Sequence, residues 1–376
     1  MKFTASSAEL LKALTTVNGA VPSKSTLPIL ECILFERDGE VLQLSATDLE
    51  ISIVQRLSVP FESNGTAASD RIAVPARRLL ETLRALPDLP IHFSADDQFN
   101  VTLRTDQGHY KMVGYDGADY PALPELAGNV RIETDGKLLR RAIQKTHFAV
   151  SKDALRPAMM GIYFQIGPEH GRAVATDGHR LVKLTLEQMR SAVPVDFIVP
   201  EKAVTLASRI AGEGACSVTV DEGYVGFDFG DARVLARLID ETYPNYEAVI
   251  PVENDRLLIV NRDAMLAAVK RVGLYSSSMT NQIRLALKAD RVEISAEDIE
   301  RSSEARETVL CEYDGEEMVI GFNAQYLTEV LSNVDGEEVQ FEFSSPNRAG
   351  VVMPREQLEG EEMMMLIMPV MLNTYA

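Results

Sequence analysis

Cysteine is scarce in this chain: Cys32, Cys216 and Cys311 are the only three among 376 residues, odd in number and far apart. That spacing excludes a disulfide framework and a CxxC zinc site, and a reducing cytosol is the expected compartment. Basic residues are also in short supply, with 37 Lys and Arg against 56 Asp and Glu and a formal net charge of -19. The balance argues against an ordinary nucleic-acid binder, whose affinity rests on clustered cations releasing counterions. A protein negative outside can still carry a positive inner surface. Long apolar runs are missing as well. The longest, residues 363–372, contains Pro369 and is about half a membrane span. The N-terminus, MKFTASSAELL, lacks the apolar block of a signal peptide, so membrane insertion is not expected. Nor does the chain contain a GxxxxGK(S/T) loop, a GxGxxG turn, an HExxH pair or a GxSxG elbow, which weakens nucleotide, zinc and hydrolase hypotheses together.

What is present is repetition. With 46% hydrophobic residues, the chain is long enough for two or three domains of roughly 100 to 200 residues. An opening strand and amphipathic helix recur as KFTASSAELLKALTTV, RIETDGKLLRRAIQKT and LIVNRDAMLAAVKRV, placing Leu11, Leu139 and Leu266 at offsets of 128 and 127. Leu10, Leu14 and Val17 follow the helical i, i+4, i+7 rule, as do Met265, Val269 and Val272; in the middle copy Lys145 stands in the last of these places. Ser6 and Glu9 have the spacing of a capping box. A second helix recurs in IAVPARRLLETL, FIVPEKAVTLAS and IGFNAQYLTEVL, aligning Pro75, Pro200 and Asn323. Alternating strand text follows each, with Phe99, Val101 and Leu103 expected on one face, and Val225, Phe227 and Phe229 on another. Three units of about 125 residues fill the chain, with expected domains 1–127, 128–252 and 253–376. Separate beads are one arrangement. The other is a continuous wall in which sheet edges pair across the repeats, since exposed edges seek partners.

Candidate chemistry is sparse. Of the five histidines only His179 has polar company, in Thr176-Asp177-Gly178-His179-Arg180. A catalytic or metal-dependent hydrolase site using Asp177, His179 and Arg180 is conceivable, and a chelator would abolish its activity. Asp177-Gly178 is better read as a turn between strands. Basic residues concentrate in the helix segments, at Lys12, Arg77, Arg78, Arg84, Arg140, Arg141, Lys145, Lys202, Arg209, Lys270 and Arg271. Five of the six helices therefore carry a basic face, which suggests a shared surface. The C-terminal MMMLIMPVML is expected to supply a buried last strand, including Leu366 to Met368. Beyond Pro369 the chain should leave the sheet beside an apolar surface, where methionine suits an adaptable groove.

With the threefold repeat, TLPIL at 26–30, TDLE at 47–50, VPAR at 74–77, ATDGHRL at 175–181, YPNY at 243–246 and IMPV near the C-terminus, the chain resembles the bacterial DNA polymerase III beta subunit family of sliding clamps. The resemblance spans Met1 to Leu372. It implies an α+β DNA clamp fold, three repeated domains each with two helices and antiparallel sheets, assembled as a ring-forming homodimer around duplex DNA. It further implies a processivity role in DNA replication, no catalysis, no metal or cofactor, and a cytoplasmic location. Carried over by position, the DNA-facing residues are Lys24, Arg77, Lys152, Arg156 and Lys202. A groove for peptide motifs of the polymerase, the clamp loader and repair proteins falls on Thr176, Gly178, His179, Arg180, Leu181, Pro244, Val249, Leu366, Met368, Pro369, Val370 and Met371. The ring-closing contact falls on Tyr110 and Met112 against Leu274 and Tyr275. The chain departs from the family in three places. Met371-Leu372 replaces an Arg-Leu end and continues as Asn373, Thr374, Tyr375 and Ala376; Pro157 and Ala158 replace an aromatic pair; and Asp106, Gln107, Gly108 and His109 stand where arginines are common.

Overall fold

Each repeat begins with a strand that runs into a helix whose apolar stripe is buried. In a computed structural model describing residues 1–62 and 70–372, the helices are α1 Ser7–Val17, α2 Ala76–Ala85, α3 Gly136–Thr146, α4 Glu201–Ile210, α5 Arg262–Gly273 and α6 Ala324–Asn333. The extension 373–376 lies outside the described residues. Leu10, Leu14 and Val17 of α1 are fully buried, as are Met265, Val269 and Val272 of α5. In α3 the stripe is completed by Leu139, Ala142, Ile143 and Thr146. Helix starts follow the expected chemistry: the Ser6 hydroxyl accepts from the Ala8 and Glu9 amides at 3.2 and 3.4 Å. The Asn261 and Asn323 side chains accept likewise from the first turns of α5 and α6, satisfying amides that have no partner within the helix.

The chain divides into two compact units. The first comprises Met1–Arg140 and Lys202–Leu238. A four-stranded antiparallel sheet runs in the order Lys2–Ser6, Pro90–Ala95, Asn100–Thr105, Gly108–Val113. A nine-stranded sheet runs Val130–Asp135, Ala215–Asp221, Tyr224–Asp228, Ala232–Arg237, Ile51–Ser58, Val41–Thr47, Cys32–Asp38, Arg71–Pro75, Tyr115–Asp116. Its middle seam pairs Val234 with Ile53, so strands of the second repeat continue a sheet of the first. Stacked Phe3, Phe93 and Phe35, with centroids 4.7 and 5.1 Å apart, fill the space between the two sheets. Phe99 departs from expectation: it takes φ +60 in a turn whose amides at Gln98 and Asn100 are claimed by the Asp96 carboxylate, so the strand begins only at Asn100. Phe229 likewise falls past the end of Tyr224–Asp228, whose Val225 and Phe227 are buried.

The second unit comprises Arg141–Glu201 and Ile239–Ala376. Its twelve-stranded sheet runs Val195–Pro200, Gly161–Ile166, Gly171–Thr176, Arg180–Leu186, Glu361–Ile367, Gly350–Pro354, Glu338–Phe343, Arg256–Asn261, Ser303–Asp314, Arg291–Asp298, Gln282–Lys288, Met318–Asn323. Here Leu181 pairs with Leu366, joining the second repeat to the third. The last strand stops at Ile367, one residue short of expectation. Met368 is 44% exposed, and its amide still donates to His179 O at 2.8 Å, in register with the pairing of Ile367 and Arg180.

Two helix cations expected on the basic surface are spent inside this unit. Arg141 reaches Asp335 at 2.7 Å and Glu361 at 2.5 Å, and Lys145 reaches Asp335 and the Asn333 carbonyl at 2.7 and 2.8 Å, all half-buried. Burial alone would raise the Asp335 pKa, but hydrogen bonds from Lys145 and Arg141 hold the carboxyl below its ordinary value. The stability this confers is therefore complete above the unfolded value, about pH 4, and is lost as pH falls through the folded one. Asp335→Asn should cost about 2 kcal/mol at neutral pH, the size of a hydrogen bond to a charged group. In urea titrations the gap from wild type should close in strong acid; a gap independent of pH would exclude the ion pairs as its cause.

Candidate functional site

Alternation along the strands of the second unit puts Val174, Leu181, Ile198, Val351, Met364 and Leu366 in one buried apolar cluster. Tyr243 and Tyr246 complete it, and Ala158, Tyr163, Ile239, Ile250 and Met353 pack against it partly buried. Tyr163 stacks on Tyr243 at 4.6 Å and donates to Asp196 at 3.0 Å, while Tyr246 donates to Gln165 at 2.6 Å. Burial, followed by that hydrogen bond to Asp196, pushes the Tyr163 hydroxyl up to about 12. Of the residues assigned from sequence, Leu181 and Leu366 lie in this cluster, while Pro244 and Val249 are exposed on the segment that supplies the two tyrosines. Met368 and Met371 are exposed, and Pro369 and Val370 half-buried. The three tyrosines were not assigned; YPNY carried a signal for two of them.

The turn beside this cluster is built by its own polar groups. Thr176 Oγ1 donates to Arg180 O and accepts from the Gly178 amide, and Gly178 takes φ +89, which a side chain would strain. One Asp177 oxygen accepts from the His179 and Arg180 amides, and the other receives Arg180 Nε at 3.2 Å. Neither oxygen orients the His179 ring, which instead stacks on Tyr326 at 5.4 Å. This is poor support for a catalytic Asp-His pair. Among the described residues no cluster of three or more His, Cys, Asp or Glu could hold a metal. Arg180 is 8% exposed: it pairs with Glu329, donates to Phe148 O at 2.8 Å, and lies over the Phe148 and Tyr326 rings at 5.3 and 4.8 Å. Its guanidinium thus fastens the turn to α6 and leaves His179 as the turn's exposed side chain.

Of the five assigned DNA-facing cations, four are held by carboxylates: Arg77 by Glu81, Lys152 by Glu201, Arg156 by Asp153 and Lys202 by Asp48. Lys24 is exposed and has no carboxylate partner among the described residues. In the second unit a cavity of about 510 Å³ is lined by Lys152, Arg156, His179, Arg180 and Tyr326, so cations of one assigned set stand beside the turn of the other.

The assigned interface residues divide. Gly108–Val113 is the outermost strand of its sheet; Tyr110 is 37% exposed, but Met112 is 5% exposed and faces its own core, so its side chain is not available to a partner. Leu274 and Tyr275, just after α5, are 81% and 46% exposed. The strand Ser303–Asp314 was assigned nothing from sequence. Its first eight residues, Ser303 to Leu310, pair with Arg291–Asp298, and only Cys311 to Asp314 pair on the other side, leaving a long half-edge open. Arg271 of α5 pairs with Glu307 on that strand at 2.6 Å, and Leu310 is 77% exposed.

Comparison with known proteins covers nearly the whole chain. Residues 1–124, 133–245 and 247–371 match the family descriptions "DNA polymerase III beta subunit" N-terminal, central and C-terminal domain in turn. The chain is 34% identical over 357 residues to the beta sliding clamp of Caulobacter vibrioides (strain NA1000 / CB15N), covering 92% of this chain and 94% of that protein. A crystal structure of the Pseudomonas aeruginosa sliding clamp, bound to griselimycin, superposes with a TM-score of 0.92 at 30% identity, covering 99% of this chain and 100% of the other. The clamp of Bacillus subtilis gives the same TM-score at 26% identity, covering 99% of each chain.

Proposed function

Because the chain belongs to the DNA polymerase III beta subunit family, the bacterial sliding clamps, we propose that it closes as a homodimer around duplex DNA in the cytoplasm and tethers the replicative polymerase to its template. It is a non-catalytic processivity subunit. The single observation that favours this reading is the apolar cluster of Leu181, Leu366 and the tyrosines beside an exposed turn and a short C-terminal strap. That arrangement suits short peptide motifs anchored by a few apolar side chains. Polymerase, clamp loader and repair proteins would share it in turn. Lys24, Arg77, Lys152, Arg156 and Lys202 would face the phosphates and give attraction without base readout, which allows sliding. The ring would close by pairing the outer edge of Gly108–Val113, through Tyr110 and Val113, with the open half-edge of Ser303–Asp314 beside Leu274 and Tyr275, removing two exposed edges at once. Domains 1–127, 128–252 and 253–376 would be the repeating units of that ring.

Primer extension on a long single-stranded circle tests the proposal. The protein should convert short products of the cognate polymerase into full-length ones only when loader and ATP are both supplied. Stimulation that ignores the loader, or none with it, would exclude a loaded clamp.

A further inference from the structure

We infer that Gly321 is a positioning residue for the partner groove: its missing side chain makes the berth in which the C-terminal strap docks, so that the groove wall is set before any partner arrives. This rests on the peptide-groove reading above. The strap leaves the sheet at Ile367 and is fastened twice by its backbone. Met368 N donates to His179 O at 2.8 Å, and Val370 N donates to Gly321 O at 2.9 Å, the latter forming an isolated antiparallel bridge. Gly321 lies within the strand Met318–Asn323, whose Ile320 and Phe322 are fully buried on the other face. A Cβ at 321 would stand 2.8 Å from Val370 O, 2.7 Å from Leu372 Cδ2 and 3.1 Å from Leu372 Cγ. The leucine could rotate away; the carbonyl is backbone and could not. Glycine inside a strand commonly marks such a close approach by another backbone. The same strand ends in Asn323, the cap of α6, which carries the Tyr326 that stacks on His179. One short segment therefore places both the strap and the ring behind the turn. A strap already held need not be ordered when a peptide binds, and that cost is removed from the affinity.

The test is Gly321→Ala in the full chain, read three ways. Sedimentation should give an unchanged dimer. Hydrogen exchange should show faster exchange at the Val370 amide while the amides of Met318–Asn323 paired with Gln282–Lys288 keep their protection. A fluorescent peptide copying the clamp-binding segment of the cognate polymerase should bind roughly tenfold more weakly, the loss expected when a preorganised wall must be ordered on binding. Leu372→Ala removes the other half of the contact without touching the strand. It should shift the same two readouts in the same direction by less, and it decides the matter if Gly321→Ala does not fold. Protection at Val370 unchanged in the variant overturns the docking role, and protection lost with peptide affinity intact overturns the positioning role. A wild-type chain that binds no such peptide overturns the groove reading instead, whatever the variants do.

Discussion

Loaded onto a nicked circle, the protein should remain with the DNA through gel filtration at a salt concentration that strips it from short open duplexes, and should run off when a restriction enzyme linearises the circle. The charges carry the argument. The chain as a whole is at -19, and four of the five assigned cations already hold a carboxylate within 4 Å, so a phosphate must displace a partner to reach them. Even if all five made full contacts, affinity for open duplexes would fall roughly 500-fold between 50 and 200 mM salt, at a slope of about 0.9 per phosphate. A closed ring is indifferent to that slope, because it leaves only by opening or by sliding off an end. Lys24→Ala combined with Arg77→Ala should weaken direct binding and loading but spare retention of rings already loaded. Equal retention on linear and circular DNA, both sensitive to salt, would mean ordinary electrostatic binding.

The second large effect is on assembly. Leu274 and Tyr275 present apolar side chains at the end of α5, next to the strand that keeps one edge open. Replacing both with aspartate would put two like charges into a seam that closes only with another copy. Unpaired buried charges cost several kcal/mol, and about 4 kcal/mol is a thousandfold in Kd. Sedimentation should find folded monomers at concentrations where wild type is dimeric, with circular dichroism unchanged. An unaltered dimer would move the interface elsewhere.

Local sequence rules located the helices, the Ser6 cap of the first and the buried stripes of α1 and α5, because each depends on residues within a turn or two. Ser6 caps α1 as its spacing with Glu9 suggested, Pro75, Pro200 and Asn323 each directly precede a helix as their alignment implied, and Leu181 and Leu366 lie together in the apolar cluster. Long-range pairings were not legible. The partner of Lys202 is Asp48, 154 residues away, and that of Arg141 is Glu361, 220 residues away. A cation that looks free in a helix is therefore spent on a carboxylate no window contains. Tyr110 and Met112, two residues apart, share one face of their strand, and only the packing around each, which no local pattern shows, leaves the first half open and covers the second; the polar residues of Ser303–Asp314 mask the strand beneath. The Tyr163–Tyr243 stack joins residues that no periodicity connects.

The repeat written in the sequence and the body that holds together in space do not coincide. Val130–Asp135 and 215–237 of the middle copy belong to a sheet completed by the first copy, while its Gly161–Ile166, Gly171–Thr176, Arg180–Leu186 and Val195–Pro200 belong to one completed by the third. The middle repeat is here divided between two compact units. The middle copy expressed alone would have two raw sheet edges, at Ala232–Arg237 and Arg180–Leu186, each ready to pair with another chain. Heat or denaturant should therefore melt this protein in two blocks rather than three, and a cut at either repeat boundary would sever the sequence without freeing a domain.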